Sequence, residues 1–138
     1  MVTPFIIRIR GFEPRTYSGK KTINKKKVRD ELLNELRASG ILYKYSDGSK
    51  EQVSLRIKFF LFKDLKQSKR YEKDIDNLLK IVLDSISIYI NQADNIRGVG
   101  LIRNDLDVWK VQAEKELVYD ARDEGFELEI KKYRRAPK

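Results

Sequence analysis

VSLRIKFFLF at residues 53–62 and, after a polar interval, KDIDNLLKIVLDSISIYI at residues 73–90 carry the two clearest periodicities in the chain. In the first, Val53, Leu55, Ile57, Phe59 and Leu61 fall on one side. Ser54, Arg56 and Lys58 take the other, and Phe60 and Phe62 end that row. Alternation of this kind is the mark of a strand with one buried face. In the second, Ile75, Leu78, Leu79, Val82, Leu83, Ile86 and Ile90 form one continuous helical stripe. The pair predicts a strand over 53–62 and a helix over about 74–91, packed together.

Outward from that pair, FIIRIR at 5–10 predicts a strand with Phe5, Ile7 and Ile9 on one face. Asn24 fits an N-cap, Val28, Leu32, Leu33 and Leu36 repeat at helical spacing, and Gly40 fits the stop. Tyr45 to Ser49 reads as a turn, 91–98 as a loop, and 99–103 as a short strand. A longer strand is predicted over 107–118. Trp109, Val111, Ala113 and Leu117 form its apolar face, and Lys110, Gln112, Glu114 and Glu116 its wet face. Asp120 to Gly125 make a turn, Phe126, Leu128 and Ile130 mark a last strand, and 134–138 is a frayed basic tail. The expectation is a single α+β domain over residues 1–138, with two helices packed on a small mixed sheet in the order β-α-β-α-β-β.

Composition narrows the chemistry. The 138 residues include no cysteine and no histidine. That excludes disulfides, thiol nucleophiles, zinc–thiolate sites, Ser-His-Asp triads and histidine-bound metals. Catalysis would have to use carboxylates, lysine, arginine, hydroxyls or a hard cation held by oxygen. No apolar run approaches the roughly 18–20 residues of a spanning helix, and the first residues lack a secretory pattern. A soluble, cytoplasmic protein with no membrane partner is the expectation. The net charge is +9, and residues 1–50 hold 12 positive against 5 negative charges. Such a field favours a polyanion, most simply nucleic acid, although a solvated lysine-rich surface reads the same way.

The stretch from Lys73 to Asp84 carries the chemistry. Asp76, Lys80, Asp84 and Ser87 share one band of the predicted helix, and Asp74 enters at the same end as Asp76. Two carboxylates one residue apart at a helix entrance suit Mg²⁺, which takes a few carboxylate oxygens plus water and phosphate. Each residue alone also has a plain reading. Asp74 would be a cap, Asp76–Lys80 a surface ion pair, and Asp84 a solvated side chain. Further on, strand alternation puts Asp105 and Asp107 on the side of Trp109, where a shared cation would offset their burial. The alternative is that both lie in the preceding loop, solvated or bonded to turn amides.

The pattern D-x-D-N-x-x-K-x-x-x-D, here Asp74, Asp76, Asn77, Lys80 and Asp84, is followed by Asp105 and by VWKVQAEK ending at Lys115. Together these resemble the RusA family of Holliday-junction resolvases, most specifically over residues 70–115. The resemblance implies a RusA-like fold and a homodimeric, Mg²⁺-dependent endonuclease that binds four-way DNA junctions and cuts two strands symmetrically, with Mn²⁺ able to replace Mg²⁺. It implies Asp74, Asp76 and Asp105 as metal ligands and Lys80 as the essential lysine. Asn104 stands where the family has the first acid of a pair, and GFEPRTYSGKKTIN keeps one proline in a far more basic loop than the family's.

On this reading Lys20, Lys21, Lys25, Lys26, Lys27, Lys69, Arg70 and Lys73 bind backbone phosphates beyond the cut site. Lys25 to Lys27 would occupy the first turn of the first helix, where a phosphate could join them to free amides. Tyr71 and Arg70 are candidates to stack on a base, and a surface or core tyrosine is the other reading. The apolar ends at Ile86–Ile90 and in FFLF are candidate dimer surfaces. A DNA-binding module without catalysis and a nuclease for flaps or other branched DNA remain the alternatives.

Overall fold

A computed structural model describes residues 5–16, 21–40, 51–64 and 71–135. The turn expected at Tyr45–Ser49 lies outside them. The strands Phe5–Arg10 (β1) and Val53–Phe62 (β2) form with the bounds their alternation gives. Helix α1 spans Lys21–Ala38. It closes at Gly40, whose positive φ of 70° suits glycine and whose N–H donates to Arg37 O at 3.1 Å. Asn24 is not its N-cap, because the helix begins three residues earlier. The Asn24 amide instead donates to Thr16 O at 3.2 Å. Lys25, Lys26 and Lys27 therefore sit beyond the first turn, away from the free amides.

Helix α2 spans Ile75–Ile86, five residues short of the expected end. Ile86, Ile88 and Ile90 recur at every second residue, and β-branched side chains at that spacing suit extended backbone. Ile90 belongs to strand β3 (Tyr89–Asn91), which pairs with β4 (Ile96–Arg97) in a small hairpin. This hairpin replaces the loop expected over 91–98. Residues 99–103 form no strand beyond a single bridge between Ser87 and Ile102. They fold onto the end of α2 through Val99 N–H to Ser85 O and Leu101 N–H to Ile86 O. Gly98 permits this close approach, since a Cβ there would lie 2.2 Å from Ser87 O.

After a 3₁₀ turn at Asp105–Asp107 come strand β5 (Val108–Val118), a second 3₁₀ turn at Ala121–Asp123, and strand β6 (Gly125–Lys132). Four strands make one sheet in the order β1-β6-β2-β5. β6 is antiparallel to β1 and β2, while β5 runs parallel to β2. A parallel pair needs a crossover, and α2 lies within it. The result is an α+β fold with two helices and a mixed sheet.

The core lies between the helices and one sheet face. Ile7, Ile9, Ile57, Phe59, Phe126 and Leu128 meet Val28, Leu32, Leu78, Ile81 and Val82, all nearly inaccessible. Each such side chain contributes roughly 1.5–3 kcal/mol by leaving water. Phe59, Leu61 and Ile86 belong to this core, while Phe60 and Phe62 on the other face of β2 are half-buried. Phe59, Leu61, Ile86, Ile88 and Ile90 are buried, which removes them as free dimer surfaces.

Strand β5 departs most from expectation. Val108 and Ala113 pack against the core, but its larger apolar residues do not. Trp109 is 59% exposed, Val111 39% and Leu117 40%. The reason is topological: β5 is the edge of the sheet, and the two helices cover its centre.

Candidate functional site

Asp74 occupies the N-cap of α2 with extended backbone, and its side chain makes no capping hydrogen bond. The Asp74 carboxylate is therefore exposed at the helix entrance without bonding the first-turn amides. Asp76, also exposed, accepts the N–H of Asn77 on Oδ1 at 3.0 Å. Lys80 follows one turn later on the exposed surface of the helix. A further cation reaches this entrance from the sheet: Lys115 Nζ donates to Lys73 O at 2.9 Å. The two carboxylates and two ammonium-bearing side chains thus share the start of α2. Lys115 closes the VWKVQAEK stretch, and its place here could be read only once β5 was known to run parallel to β2.

Asp105 lies elsewhere. It is exposed, in the 3₁₀ turn before β5, capped by Asn104, whose side chain accepts the Leu106 N–H at 2.9 Å. Lys115 is seven residues along β5 from Val108, a run of about 23 Å. The neighbouring residue Arg103 bonds through its carbonyl to Ile88, just past the other end of α2. Asp105 and the Asp74/Asp76 pair therefore sit at opposite ends of both β5 and α2. Among the described residues no three carboxylates gather as a metal cage.

Asp107 is the buried member of the second acidic pair, and it is not on a strand face with Trp109. It is 3% exposed and takes a two-point bond from Arg103, Nη2 to Oδ1 at 2.6 Å and Nε to Oδ2 at 3.1 Å. This planar fork neutralises the carboxylate and satisfies both oxygens. The turn reading, with both acids in the preceding loop, describes the pair.

The predicted phosphate contacts divide. Lys25 is buried, and its Nζ lies 2.8 Å from Asp84 Oδ2, tying α1 to α2. Ser85 adds a hydroxyl donation to Lys25 O at 3.0 Å. Asp84 is thus an ion-pair partner, not a solvated residue. Lys73 donates to Glu13 Oε2 at 2.8 Å and Pro14 O at 2.7 Å, so it clamps the segment after β1 to the α2 entrance. Lys26 is half-buried and Lys27 exposed. Lys20, Lys69 and Arg70 lie outside the described residues, as does the side chain of Lys21. Tyr71 packs against the core with the Lys63 ammonium 5.6 Å from its ring centre.

Lys25 accordingly has a structural role that its charge alone did not reveal. Lys25→Ala leaves the Asp84 carboxylate half-buried without its partner. Urea unfolding should report a loss of about 1–3 kcal/mol. Unchanged stability would place the ion pair among the surface pairs that contribute little.

A basic pocket went unread in the sequence. Ser54, Lys110, Lys131, Lys132 and Arg134 line it, four cations with no carboxylate among them. The pairings of Ser54 with Lys110 and with Lys131 put it at the same end of the sheet as Asp105. The signal was the run KKYRR at 131–135, which reads by itself as a solvated tail.

No protein-family model matches the chain, and neither curated proteins nor solved structures include a match. Among the described residues no helix is long and apolar enough to cross a membrane.

Proposed function

We propose that the protein is a Mg²⁺-dependent endodeoxyribonuclease of RusA type, which resolves four-way DNA junctions by hydrolysing phosphodiester bonds. The observation that carries this reading is the exposed Asp74, which makes no capping bond, beside Asp76 at the start of α2, with Lys80 one turn further on and Lys115 bonded to the neighbouring Lys73 carbonyl. A carboxylate at an N-cap that makes no capping bond has given up its usual structural role. Two such oxygen donors fit a hard cation that keeps several waters and takes the rest of its shell from phosphate. Mn²⁺ fits the same donors.

When bound, Mg²⁺ would supply an activated water and neutralise charge on the scissile phosphate. Asp74 and Asp76 would hold it. Lys80 stabilises the charge that builds on phosphate oxygens. Lys115, fixed by the Lys73 carbonyl, adds positive potential at the same entrance. Asp105 joins such a site only from a second copy, because within one chain it lies at the far end of β5. Symmetric cutting of two strands calls for the same two-fold arrangement.

The basic pocket and the exposed Lys27 supply contacts to DNA backbone away from the cut. Replacing Lys131, Lys132 and Arg134 together by alanine should weaken junction binding and lower the slope of log K against log salt by up to about three. A slope that does not change would put the DNA on another face.

The direct test incubates the protein with a labelled four-way junction and a matched linear duplex, with and without Mg²⁺. Paired cuts in the junction only, and only with Mg²⁺, are expected. Mg²⁺-independent binding with no cutting would leave a DNA-binding module whose carboxylates serve the helix entrance alone. Equal cutting of flaps would widen the substrate to branched DNA in general.

A further inference from the structure

The basic pocket is built around a buried hydroxyl. In the sheet register Ser54 stands between Lys110 of β5 and Lys131 of β6, and residues directly opposed across strands project to the same side. That side is the one away from the helices, since Val53 and Leu55 on either side of Ser54 enter the core. Ser54 is only 8% exposed, yet among the described residues no hydrogen bond engages its hydroxyl. Buried polar groups normally have a partner. Lys132 and Arg134 complete the lining, and among the described residues none of the four cations has an ion-pair partner. The nearest acid along β6, Glu129, is taken by Arg56 at 3.5 Å. A free hydroxyl set among unpaired cations suits a phosphate. The cavity, about 330 Å³, is at the small end for ligand sites, so a phosphate and its sugar fill it.

A second observation concerns Trp109. Val53 pairs with Val108 and Ser54 with Lys110, so the register slips by one and Trp109 has no partner on β2. A bulge of this kind re-aims the side chain it carries. The Trp109 ring meets that of Tyr133 at 5.9 Å between centres, and it stays 59% exposed. In the chain Trp109 adjoins Lys110, and Tyr133 lies between Lys132 and Arg134, so both rings border the residues of the pocket. We infer that the pocket is a binding site for one unpaired nucleotide, with its phosphate on Ser54, Lys110 and Lys131 and its base stacked on Trp109. The stack needs a base with a free face, which a base inside a duplex does not offer. An aromatic side chain accepts any base, because every base has a π-face. The ligand chemistry is a phosphate ester joined to an aromatic base, carried either by a free nucleotide or by an unpaired position in a strand. The inference rests on the nuclease reading for its ligand class and goes beyond the backbone contacts given to this pocket there. It uses neither the metal nor the cut.

Trp109 is the single tryptophan of the chain, so its fluorescence reports this site directly. The test titrates the full chain, without Mg²⁺, with a short 5′-phosphorylated oligothymidylate, an abasic strand of the same length, a duplex of the same length, and thymidine monophosphate. The oligothymidylate should quench Trp109 saturably, and the abasic strand and the duplex should not. Quenching by thymidine monophosphate over the same concentrations would make the free nucleotide the ligand. Quenching by the strand alone would make it an unpaired position in DNA, and either result upholds the site. Anisotropy of a labelled oligothymidylate follows the variants. Trp109→Ala should weaken binding about ten- to a hundredfold, and Trp109→Phe should restore part of it. Ser54→Ala should weaken it about tenfold, and Ser54→Asp should abolish it by placing an anion where the phosphate sits. Tyr119→Ala, at the other end of β5, should change nothing. Circular dichroism checks that each variant is folded. No quenching by strand or mononucleotide overturns the inference, as does equal quenching by the abasic strand or the duplex. Trp109→Ala and Trp109→Phe variants that both bind as the wild type does overturn it too. The nuclease reading fails separately, as a protein that quenches on the strand but cuts no junction.

Discussion

Asp74→Asn, Asp76→Asn and Asp105→Asn should each abolish Mg²⁺-dependent junction cutting while leaving junction binding nearly intact. Losing one anionic oxygen from a pair that holds a hard cation removes much of its attraction for the ion. DNA affinity should hold or rise slightly, since negative charge facing a polyanion has been removed. Folding is not the cause of the loss. Asp74 makes no capping bond, so amide for carboxylate costs the helix little. Asp76 contributes a dipole-complementing charge of about 0.3–1 kcal/mol in the first turn. A mixing experiment separates sites made within one chain from sites made across two. Asp76→Asn and Asp105→Asn are each inactive, but a mixed dimer has one position at which Asp74, Asp76 and the other copy's Asp105 are all intact. Recovered cutting in the mixture, at one strand per junction, is expected if Asp105 acts in trans. A mixture as inactive as its parts would leave Asp105 outside the metal site. Parallel loss of binding and cutting would assign the aspartates a structural role.

The strands β1 and β2 were legible because alternation over six and ten residues leaves no competing reading. Gly40 was legible for a similar reason, since a helix stop in the left-handed region favours glycine. The end of α2 was misread because Ile86 and Ile90 satisfy helical spacing while Ile86, Ile88 and Ile90 satisfy strand spacing equally well. Tertiary contact with residues 98–102 selects between them. The hairpin β3–β4 was invisible because its strands are three and two residues long, too short for any periodicity.

The site was legible in part. The spacing of Asp74, Asp76 and Lys80 follows from one helix, so their shared entrance could be expected from sequence. Asp105 could not be placed, because its distance from that helix depends on the direction of β5. Sequence fixes neither whether β5 runs parallel to β2 nor whether it lies at the edge. The lysines show a second limit. Lys25 and Lys27 are indistinguishable as members of KKK, yet one is buried against Asp84 and the other faces solvent. A lysine's stem can be buried as readily as its head can be solvated. A basic run therefore reports field, and only packing reports which charges a ligand can reach.

Lys80→Ala should slow junction cutting about 10²–10³-fold at saturating Mg²⁺ and enzyme. Lys80 is exposed on α2, and as an i,i+4 partner of Asp76 it would add roughly 0.3–0.5 kcal/mol. Helix content and the urea midpoint should therefore barely move. As a compact charge one turn from the acidic pair, it can meet phosphate oxygens whose charge grows in the transition state, which makes its loss a loss of rate. Lys80→Arg should rescue poorly, since a wide planar fork does not replace a point charge beside a bound cation. Lys115→Ala provides the contrast, because its ammonium is engaged by the Lys73 carbonyl. Its removal should act through the position of the α2 entrance and raise the Mg²⁺ concentration needed for half-maximal cutting. The decisive measurement is single-turnover cutting at matched DNA occupancy, across a Mg²⁺ titration. A Lys80→Ala rate within a factor of a few of wild type, at every Mg²⁺ concentration, would make Lys80 a surface residue of α2 and leave Lys115 as the cation that serves the cut.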